Sequence, residues 1–477
     1  MKRNNTVYFV CFLIALGIFL CSLWGRSIHI DDVWLAEYSY WLNKLGYVKS
    51  EAMRGFFGAE DKLLVHHKLM QIQGAWLIGG FGFNPYVLKS LSFIYTALTM
   101  PLLLVLYRRG GKSTAKKFLL LALFLSFFHT MNLGFTFRPE SHLVFWGLLS
   151  YLVLDSYLVS EKKWLLVLSA FLSGVGIATH LNGVIFTGAS VVLLWCYRRW
   201  IAGLVFGTVA TWGLAFFFTY DVRSLAELQT LYVQLTNWRD VASGKYGWES
   251  LFRVFTEISR YLHSPPEIVY TLMLLMILIP ARKYLLSEHR RVLLYTGLLS
   301  FFVAQITHGH NTNYLMYAMP FLITLGVWSF EYLQGEGRRI LTWSAIGIFL
   351  VGSWMYDISE FFSYNKWQAK ERDREMQKVV HFLPENAHVL STHLLIFPGV
   401  EKLRIQSFVG YRDKVENNLL KPEAAELFRE ALKYDIEYVV VDPSTENFFS
   451  IDKDEYEGFH LMEEQPSPQF RIYIRNF

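Results

Sequence analysis

The stretch VYFVCFLIALGIFLCSLW occupies residues 7–24 and contains no charged side chain. A helix needs about 20 apolar residues to cross the ~30 Å hydrocarbon layer of a membrane. The apolar residues here are continuous rather than alternating, which favours a helix over a barrel strand. Since many similar runs follow, the stretch is predicted to be a retained membrane anchor and not a cleaved signal peptide.

Eleven membrane spans are predicted from this pattern, which makes the chain an α-helical polytopic membrane protein. Their bounds are 7–25, 86–107, 118–135, 142–159, 164–180, 184–197, 201–219, 267–280, 292–307, 314–330 and 340–356. Basic residues are enriched in cytoplasmic connections. Five short connections are basic and are therefore assigned to the cytoplasmic side with the N-terminus: 108–117, 161–163, 197–199, 281–291 and 335–339. The other connections then lie outside: 26–85, 136–141, 180–183, 220–266 and 308–313.

Charge divides the chain into two predicted domains. Residues 1–356 carry 30 Lys/Arg and 18 Asp/Glu, which fits basic connections beside a membrane better than nucleic-acid binding. Residues 357–477 carry 15 Lys/Arg and 22 Asp/Glu and are predicted to form a soluble, extracytoplasmic α/β domain. Its predicted elements are strands 388–392, 437–442 and 470–475 and a helix at 421–434. All three cysteines fall in predicted spans, so no disulfide is expected in the tail, and a bacterial inner membrane is favoured.

Two outer connections, 26–85 and 220–266, are long enough to have structure of their own. In the first, the aromatic residues Trp34, Tyr38 and Trp41 recur at helical spacing. This pattern predicts an amphipathic helix that lies in the membrane interface with its aromatic side chains among the headgroups. A second such helix is predicted at 69–82.

Two adjacent carboxylates, Asp31 and Asp32, follow the first span on the predicted outer side. One carboxylate can act as a general base that withdraws a proton from an attacking hydroxyl. The pair can instead hold a divalent cation through oxygen ligands, or both acids can stabilise the N-terminus of a helix. The residues alone leave these three interpretations open.

Arg138 and Glu140 lie in FRPESH, in the outer connection between spans three and four. An arginine has no role in orientation on this side, and its guanidinium can bind a phosphate through two parallel hydrogen bonds. Alternatively the segment is an interfacial cap in which Pro139 begins the next helix and Glu140 is favoured by the helix dipole.

The third polar segment is HGHNTNY at 308–314. His308 and His310 can bind a phosphate when protonated or a metal when neutral, or the loop is merely polar. Weaker candidates on the same predicted side are His66, His67, Lys68, His180 and Asn182. The sequence contains no nucleotide-binding or soluble-hydrolase motif, so no nucleotide cofactor is expected and an activated substrate has to arrive from the membrane.

Taken together, these segments resemble the GT-C superfamily of integral membrane glycosyltransferases, in particular the branch with the protein O-mannosyltransferases and the lipid A aminoarabinose transferase. HIDDVWLAEYSYWL (29–42) looks like the acidic motif after the first span, with Asp31, Asp32 and Glu37 at the acidic positions. Four further segments resemble family motifs in the same order: 66–92, 137–154, 174–183 and 313–322. The chain departs from the family pattern in four places. Asp32 stands where Glu is usual, and the second proline of the family's Lys-Pro-Pro-Leu segment is missing. His180 replaces a common Lys, and Asn313 a common Arg.

The resemblance implies an inverting transfer of a sugar from a polyprenyl-phosphate donor to an acceptor hydroxyl on the outer face. Asp31 is then the expected base, while Asp32 orients it or helps to bind a cation. The expected ligands of the leaving phosphate are Lys68, Arg138, His308 and His310. Expected substrate contacts are Glu37, His66, His67, Glu140, His180, Asn182, Asn313 and Tyr314. The tail is expected to help select the acceptor, which is a glycan, lipid or protein of the cell envelope.

Other classes of protein remain open at this stage. A lipid-linked oligosaccharide ligase or polymerase differs mainly in its donor. A transporter would place ionisable residues near the middle of its spans, and the spans here contain few. A non-enzymatic scaffold would leave Asp31, Arg138 and His308 apart in space, so their position in the fold discriminates between these classes.

Overall fold

The computed structural model describes residues 2–25, 28–110, 114–237, 248–307, 311–364, 367–416 and 420–476. Helices dominate the first part. Eleven of them run in order: α1 (Lys2–Gly25), α2 (Ile30–Leu45), α3 (Lys68–Phe81), α4 (Pro85–Arg108), α5 (Lys116–Leu125), α6 (Phe128–Leu133), α7 (Glu140–Ser160), α8 (Lys163–Thr179), α9 (Val184–Cys196), α10 (Trp200–Thr219) and α11 (Leu225–Asn237). Further helices follow at Trp248–Thr256, Ile258–Tyr261, Pro265–Leu278, Arg282–Glu288, Arg290–Ile306, Met319–Gly335 and Arg339–Tyr364.

Helical structure is present at each of the eleven predicted spans, so the polytopic architecture is confirmed. Within the described residues, five helices are individually long and apolar enough to cross a membrane: Asn5–Ser22, Pro85–Arg108, Glu140–Ser160, Trp200–Thr219 and Arg339–Phe362. The helical segments Phe252–Tyr261 and Pro265–Leu278 pass the same test together but are bent by 107°. The chain is an integral membrane protein.

The predicted span 118–135 is wrong as a single helix. It consists of α5 and α6, which are separated at Ser126 and Phe127 because the Phe127 backbone is extended, with φ −73° and ψ 124°. The Nε1 of Trp354 donates a hydrogen bond of 2.8 Å to the Oγ of Ser126 at this break. At 1.5 Å per residue, the ten residues of α5 extend only about 15 Å, half of the hydrocarbon layer.

Close packing fixes the connection between α8 and α9. A Cβ atom on Gly183 would lie 2.4 Å from the backbone of Gly176, so the turn requires glycine and presses directly on α8. Gly213 of α10 approaches the backbone of Gly174 equally closely. Small residues permit such contacts between membrane helices, and they hold His180 at a defined point at the C-terminal end of α8.

Protein covers part of α2. Tyr40 packs with Leu394 and Ile396 of the C-terminal region, and Tyr38 packs with Leu63 of the following loop. Of the aromatic residues at helical spacing, Tyr38 is buried, and Trp34 and Trp41 are half-buried. The interfacial position of α2 stays a prediction. On α3, the second helix predicted in this loop, Trp76 is 73% exposed.

The C-terminal region contains a six-stranded mixed sheet in the order β2-β1-β3-β6-β5-β4. The strands are β1 (His388–Ser391), β2 (Arg404–Ser407), β3 (Tyr438–Val441), β4 (Glu455–Tyr456), β5 (Phe459–Leu461) and β6 (Arg471–Arg475). Strands β2, β1 and β3 are parallel, and the rest pair antiparallel. Helices occur at Trp367–Phe382, Ile396–Gly399, Phe408–Glu416, Ala424–Lys433 and Pro443–Phe449.

The two faces of this sheet have different partners. Val440 and Ile472 share a hydrophobic cluster with the helix Trp367–Phe382 and with Val33 and Tyr40 of α2. Val439 faces the opposite side, where it packs with Phe428 of the helix Ala424–Lys433. This alternation is the two-residue period of a strand, and it confirms the predicted α/β character of the tail. The domain boundary at residue 357 stays a prediction, since it falls within the helix Arg339–Tyr364.

Candidate active site

Asp32 joins the start of α2 to the turn before α7. Its Oδ2 accepts a hydrogen bond of 2.8 Å from the His29 backbone N–H, and its Oδ1 accepts one of 2.6 Å from the Phe137 backbone N–H. The Nζ of Lys89 lies 3.2 Å from Oδ2. These contacts form a capping box with His29. The interpretation of Asp32 as a helix-stabilising acid therefore describes its contacts better than a catalytic role does.

The turn that Asp32 holds presents Arg138 to two carboxylates. Nε and Nη2 of Arg138 donate to the two oxygens of Glu140 at 3.0 and 2.6 Å, which is a bidentate pair. Nη1 donates to Oδ2 of Asp31. The Glu140 side chain is only 2% exposed, whereas that of Asp31 is 24% exposed. Asp31 is therefore the more accessible of the two partners of Arg138.

Electrostatics keep Asp31 ionised. Burial alone disfavours the carboxylate, but the His29 hydrogen bond and the Arg138 charge outweigh it and lower the pKa of Asp31 to about 2. Burial disfavours the Arg138 cation in the same way, and the charges of Glu140 and Asp31 more than offset this, so the pKa of Arg138 is raised. A carboxylate with so low a pKa is a weak base while Arg138 remains its partner.

Two of the predicted histidines lie together beside this group. The ring centroids of His67 and His180 are 4.4 Å apart, and Nδ1 of His180 accepts a hydrogen bond of 2.9 Å from the Asn182 backbone N–H. Burial lowers the pKa of His180 to about 4, with Glu140 opposing and Arg138 reinforcing the shift. Burial, with a smaller effect of His180, also holds the pKa of His67 well below its ordinary value. At neutral pH both rings are uncharged hydrogen-bonding groups.

A second ion cluster holds Lys68. Its Nζ lies 2.6 Å from Oδ2 of Asp221, just after α10, and donates to the Leu64 carbonyl at 2.7 Å. His66 contacts the same Asp221 oxygen at 2.8 Å, and burial, aided by Lys68, lowers the pKa of His66 to about 4. These contacts clamp the loop before α3 to the end of α10. A role for Lys68 in binding a donor phosphate stays a prediction that requires this lysine to leave Asp221.

Glu37 is not brought to the Asp31–Arg138 group, although both lie on α2. Six residues turn a helix by about 600°, or 240°, so Glu37 projects from a different face. Its carboxylate accepts hydrogen bonds from the Ser50 hydroxyl at 2.7 Å and from the backbone N–H groups of Glu51 and Ala52 at 2.7 and 3.1 Å. It lines a separate cavity of about 230 Å³ against the C-terminal region. The predicted contact of Glu37 with substrate at this site is therefore not favoured.

The segment Thr312–Tyr317 packs against the start of α7 as a 3₁₀ helix, with Asn313 and Tyr314 half-buried. The Tyr314 ring lies 5.6 Å from the guanidinium carbon of Arg260, which is fully buried and donates to the Thr307 hydroxyl at 2.9 Å. His308 and His310 lie outside the described residues, so the structure does not place them.

Sequence reasoning missed Arg260, Lys89, Asp221 and His142. Arg260 and Lys89 carried the signal that identified Arg138, a cation at the predicted outer end of a span where orientation does not require one. Asp221 carried no such signal, because its partner Lys68 is 153 residues away. His142 stacks on Tyr95 with centroids 4.1 Å apart, and neither ring nitrogen has a hydrogen-bond partner among the described residues.

Asp31 and Asp32 do not fit a shared cation site. Asp31 is paired with Arg138, and Asp32 accepts two backbone N–H groups and contacts Lys89. Within the part of the chain that the structure describes, no group of three His, Cys, Asp or Glu side chains is arranged to bind a metal.

Comparisons with known proteins define the fold. No protein-family model matches the sequence, and no curated protein matches it. The crystal structure of ArnT from Cupriavidus metallidurans bound to undecaprenyl phosphate superposes with a TM-score of 0.63 at 12% identity, over 99% of this chain and 98% of that one. The crystal structure of the same protein in the apo state superposes with a TM-score of 0.61 at 12% identity, over 98% of each chain. The chain thus has the fold of ArnT, a GT-C lipid A aminoarabinose transferase.

Proposed function

We propose that this protein is a glycosyltransferase that moves a sugar from a polyprenyl-phosphate donor to an acceptor hydroxyl on the outer face of the membrane. The observation that carries the proposal is the Asp31–Arg138–Glu140 group, which joins α2 to α7 in a chain with the ArnT fold. ArnT itself has been seen with undecaprenyl phosphate bound. A scaffold has no need of a half-buried ion pair between Asp31 and Arg138 that is open to solvent.

The reaction is a displacement at the anomeric carbon of the sugar. The acceptor oxygen forms a bond to this carbon, and the bond from the carbon to the phosphate oxygen breaks. The electron pair leaves with the lipid phosphate, and the hydroxyl proton passes to the Asp31 carboxylate. Direct attack inverts the configuration of the sugar.

Arg138 links donor binding to the activation of Asp31. A donor phosphate beside Nη1 competes with Asp31 for this guanidinium, while the two bonds to Glu140 keep Arg138 in place. Loss of the Arg138 contact removes a cause of the low pKa of Asp31, which then becomes a stronger base. The Arg138 guanidinium then stabilises the negative charge that develops on the leaving phosphate. Preorganised donors contribute most at such a developing charge.

Other residues complete the proposed donor site. Arg260 supplies a second buried guanidinium near Tyr314. Neutral His67 and His180 can donate hydrogen bonds to sugar hydroxyls, together with Asn182. His66, Lys68, Asn313, His308 and His310 keep their predicted roles as candidates. A bacterial inner membrane, with this site and the C-terminal region on the periplasmic side, remains the proposed location.

The test is a transfer assay with the full chain in detergent or liposomes. Radiolabelled polyprenyl-phosphate sugars and one lipid-linked oligosaccharide serve as donors, with membrane extract as acceptor. Asp31→Asn should reduce transfer at least 100-fold, while Asp61→Asn, at an exposed acid in the same outer loop, should not. Near-normal transfer in Asp31→Asn overturns the base assignment. Transfer from the oligosaccharide alone identifies a ligase or polymerase.

A further inference from the structure

A cavity of about 320 Å³ lies where the start of α2 meets the C-terminal region. The membrane part contributes His29, Lys89 and Thr136, and the C-terminal region contributes Arg372 and His393. Its other lining residues are Ile28, Ile30, Asn132, Phe135 and Leu394. Both parts of the chain therefore build this cavity, and neither contains it alone.

The lining is positively charged. Among the described residues that line the cavity, the two with a formal charge are Lys89 and Arg372. Nε of Arg372 is buried and has no hydrogen-bond partner among the described residues, which is a costly state unless a ligand supplies one. Asp373 lies near both cations and Asp32 contacts Lys89, but neither carboxylate is among the described residues that line the cavity.

The polar lining residues add neutral donors. His393 is half-buried, and burial lowers the pKa of its ring to about 4, with Asp442 opposing this shift. It is therefore uncharged at neutral pH and can donate one hydrogen bond. The Asp32 carboxylate, which lies 3.2 Å from the Nζ of Lys89, also accepts two backbone N–H groups.

The cavity adjoins the carboxylate of the proposed reaction. Nδ1 of His29 lies 3.2 Å from Oδ2 of Asp31, and the charge of Asp31 acts on His393 across the cavity. Thr136 lies two residues before Arg138 in the same turn. A group held in the cavity thus places the adjoining part of its molecule at Asp31.

We propose that this cavity binds an anionic group of the acceptor, a phosphate or carboxylate carried by a glycan or lipid, with Arg372 as the principal ligand. The inference rests on the proposed function, since only that reaction defines an acceptor. It assigns the C-terminal region a direct part in acceptor choice through Arg372 and His393. Uncharged acceptor chains then lack the contact that positions the attacking hydroxyl.

The first test measures anion binding alone. The purified full chain in detergent is first saturated with undecaprenyl phosphate, so that the proposed donor site at Arg138 is filled. It is then titrated with inorganic phosphate at constant ionic strength, and the heat of binding is recorded. Arg372→Gln should weaken binding at least tenfold. Arg374→Gln, at an exposed arginine two residues along the same helix, should not change it. Equal affinity in wild type and Arg372→Gln, or equal weakening by both substitutions, overturns the proposal.

The second test identifies the anion. The acceptor extract is separated into organic and aqueous fractions, and each is treated either with phosphatase or with a reagent that amidates carboxylates. Loss of transfer after one treatment names the anionic group, and the active fraction tells a lipid from a soluble glycan. Arg372→Gln should raise the KM for acceptor at least tenfold and leave the KM for donor unchanged.

The outcomes separate this inference from the proposed function. Transfer that survives both treatments overturns the anionic acceptor and leaves the glycosyltransferase intact. Specific phosphate binding through Arg372, in a chain that transfers no sugar from any donor, supports the cavity and overturns the proposed reaction.

Discussion

Arg138 donates a hydrogen bond from Nη1 to Asp31, a residue 107 positions earlier in the chain. The same guanidinium is held by two hydrogen bonds to Glu140 on the opposite side. Because Asp31 is more exposed than Glu140, a ligand that enters from solvent displaces Asp31 more easily. We therefore expect Asp31 to be the exchangeable partner of Arg138 and Glu140 to be the permanent one.

This exchange predicts different pH profiles for kcat and kcat/KM. The low pKa of Asp31 in the free protein, about 2, keeps the base form present throughout the accessible range, so Asp31 adds no acid limb to kcat/KM above pH 4. In the donor complex the pKa of Asp31 rises toward the ordinary value of about 4 or above. The base form is then lost as pH falls through this higher value, so kcat should decline below about pH 5. Initial rates from pH 4 to 8 measure both parameters.

Arg138→Lys tests the same relationship by removing the bidentate contact with Glu140. A lysine presents one ammonium group and cannot hold Glu140 and a phosphate in the same fixed geometry. We expect kcat/KM to fall about 100-fold or more. The matched control is Arg54→Lys, which alters a similar pair with Glu51 in the connection 26–85 and should retain activity. For the pH profiles predicted above, identical acid limbs in kcat and kcat/KM of wild type would contradict the exchange of Asp31 for a donor phosphate at Arg138.

Asp32→Asn should affect stability more than catalysis. Asparagine can still accept from the Phe137 N–H, but its amide cannot accept from the His29 N–H, and the contact with Lys89 loses its charge. The lost cap and ion contact correspond to roughly 1–3 kcal/mol. We expect a melting temperature lower by several degrees, measured by thermal unfolding in detergent. Turnover per folded molecule should change less than tenfold, whereas a loss as large as that of Asp31→Asn assigns Asp32 to the chemistry.

Lys68 and Asp221 form a pair whose role a double-mutant cycle can separate. Lys68→Met leaves the Asp221 carboxylate buried with only His66, and Asp221→Asn leaves the ammonium group with a neutral partner. Each single substitution should destabilise the chain by roughly 3 kcal/mol. The double variant should recover a large part of this loss, since neither charge is left unpaired.

Activity of the same double variant decides whether Lys68 also binds the donor. Recovery of both stability and transfer makes the pair structural. Recovery of stability without transfer shows that the ammonium group itself is required, as the sequence predicted. Radiolabel transfer and thermal unfolding on one preparation measure the two quantities together.

The membrane architecture was predictable because it depends on local properties. Helical structure is present at each segment that hydropathy selected, and the basic connections gave consistent predicted sides. The break between α5 and α6 was not predictable, because Ser126 and Phe127 are ordinary residues within an apolar run and the partner at the break, Trp354, is 228 residues away. Likewise the spacing of aromatic residues on α2 predicted an amphipathic helix correctly, but not that the C-terminal region covers part of it.

The site was predictable only in part, for the same reason. Asp31, Arg138 and Glu140 stood out because charge at the outer end of a span is costly without a function. The sequence could not distinguish Asp32 from Asp31. Adjacent residues on a helix project their side chains in different directions, and only the fold shows that Asp32 points to the turn at Phe137. The cavity at Arg372 combines residues that are far apart in the sequence, and no local sequence pattern indicates that they are neighbours in the fold.

Glu37 supplies the last prediction, which concerns stability and pH. Burial outweighs the hydrogen bonds that Glu37 accepts and raises its pKa from 4.5 to about 7. A carboxyl with a higher pKa in the folded than in the unfolded chain favours folding below about pH 4.5 and loses this contribution as pH rises through 7. The slope is about 1.4 kcal/mol per pH unit, or roughly 3 kcal/mol in all. The melting temperature of wild type should therefore fall between pH 5 and 7.5.

Glu37→Gln removes this dependence without removing the contacts. The amide oxygen can accept from Trp41 and from the backbone N–H groups of Glu51 and Ala52, as Oε1 does now, and the amide nitrogen can donate to the Ser50 hydroxyl. The variant should melt at a temperature nearly independent of pH over this range and exceed wild type above pH 7. Glu385→Gln, at an exposed glutamate, should keep the wild-type slope. A wild-type slope in Glu37→Gln would show that other groups cause the pH dependence and that Glu37 is ionised in the folded chain.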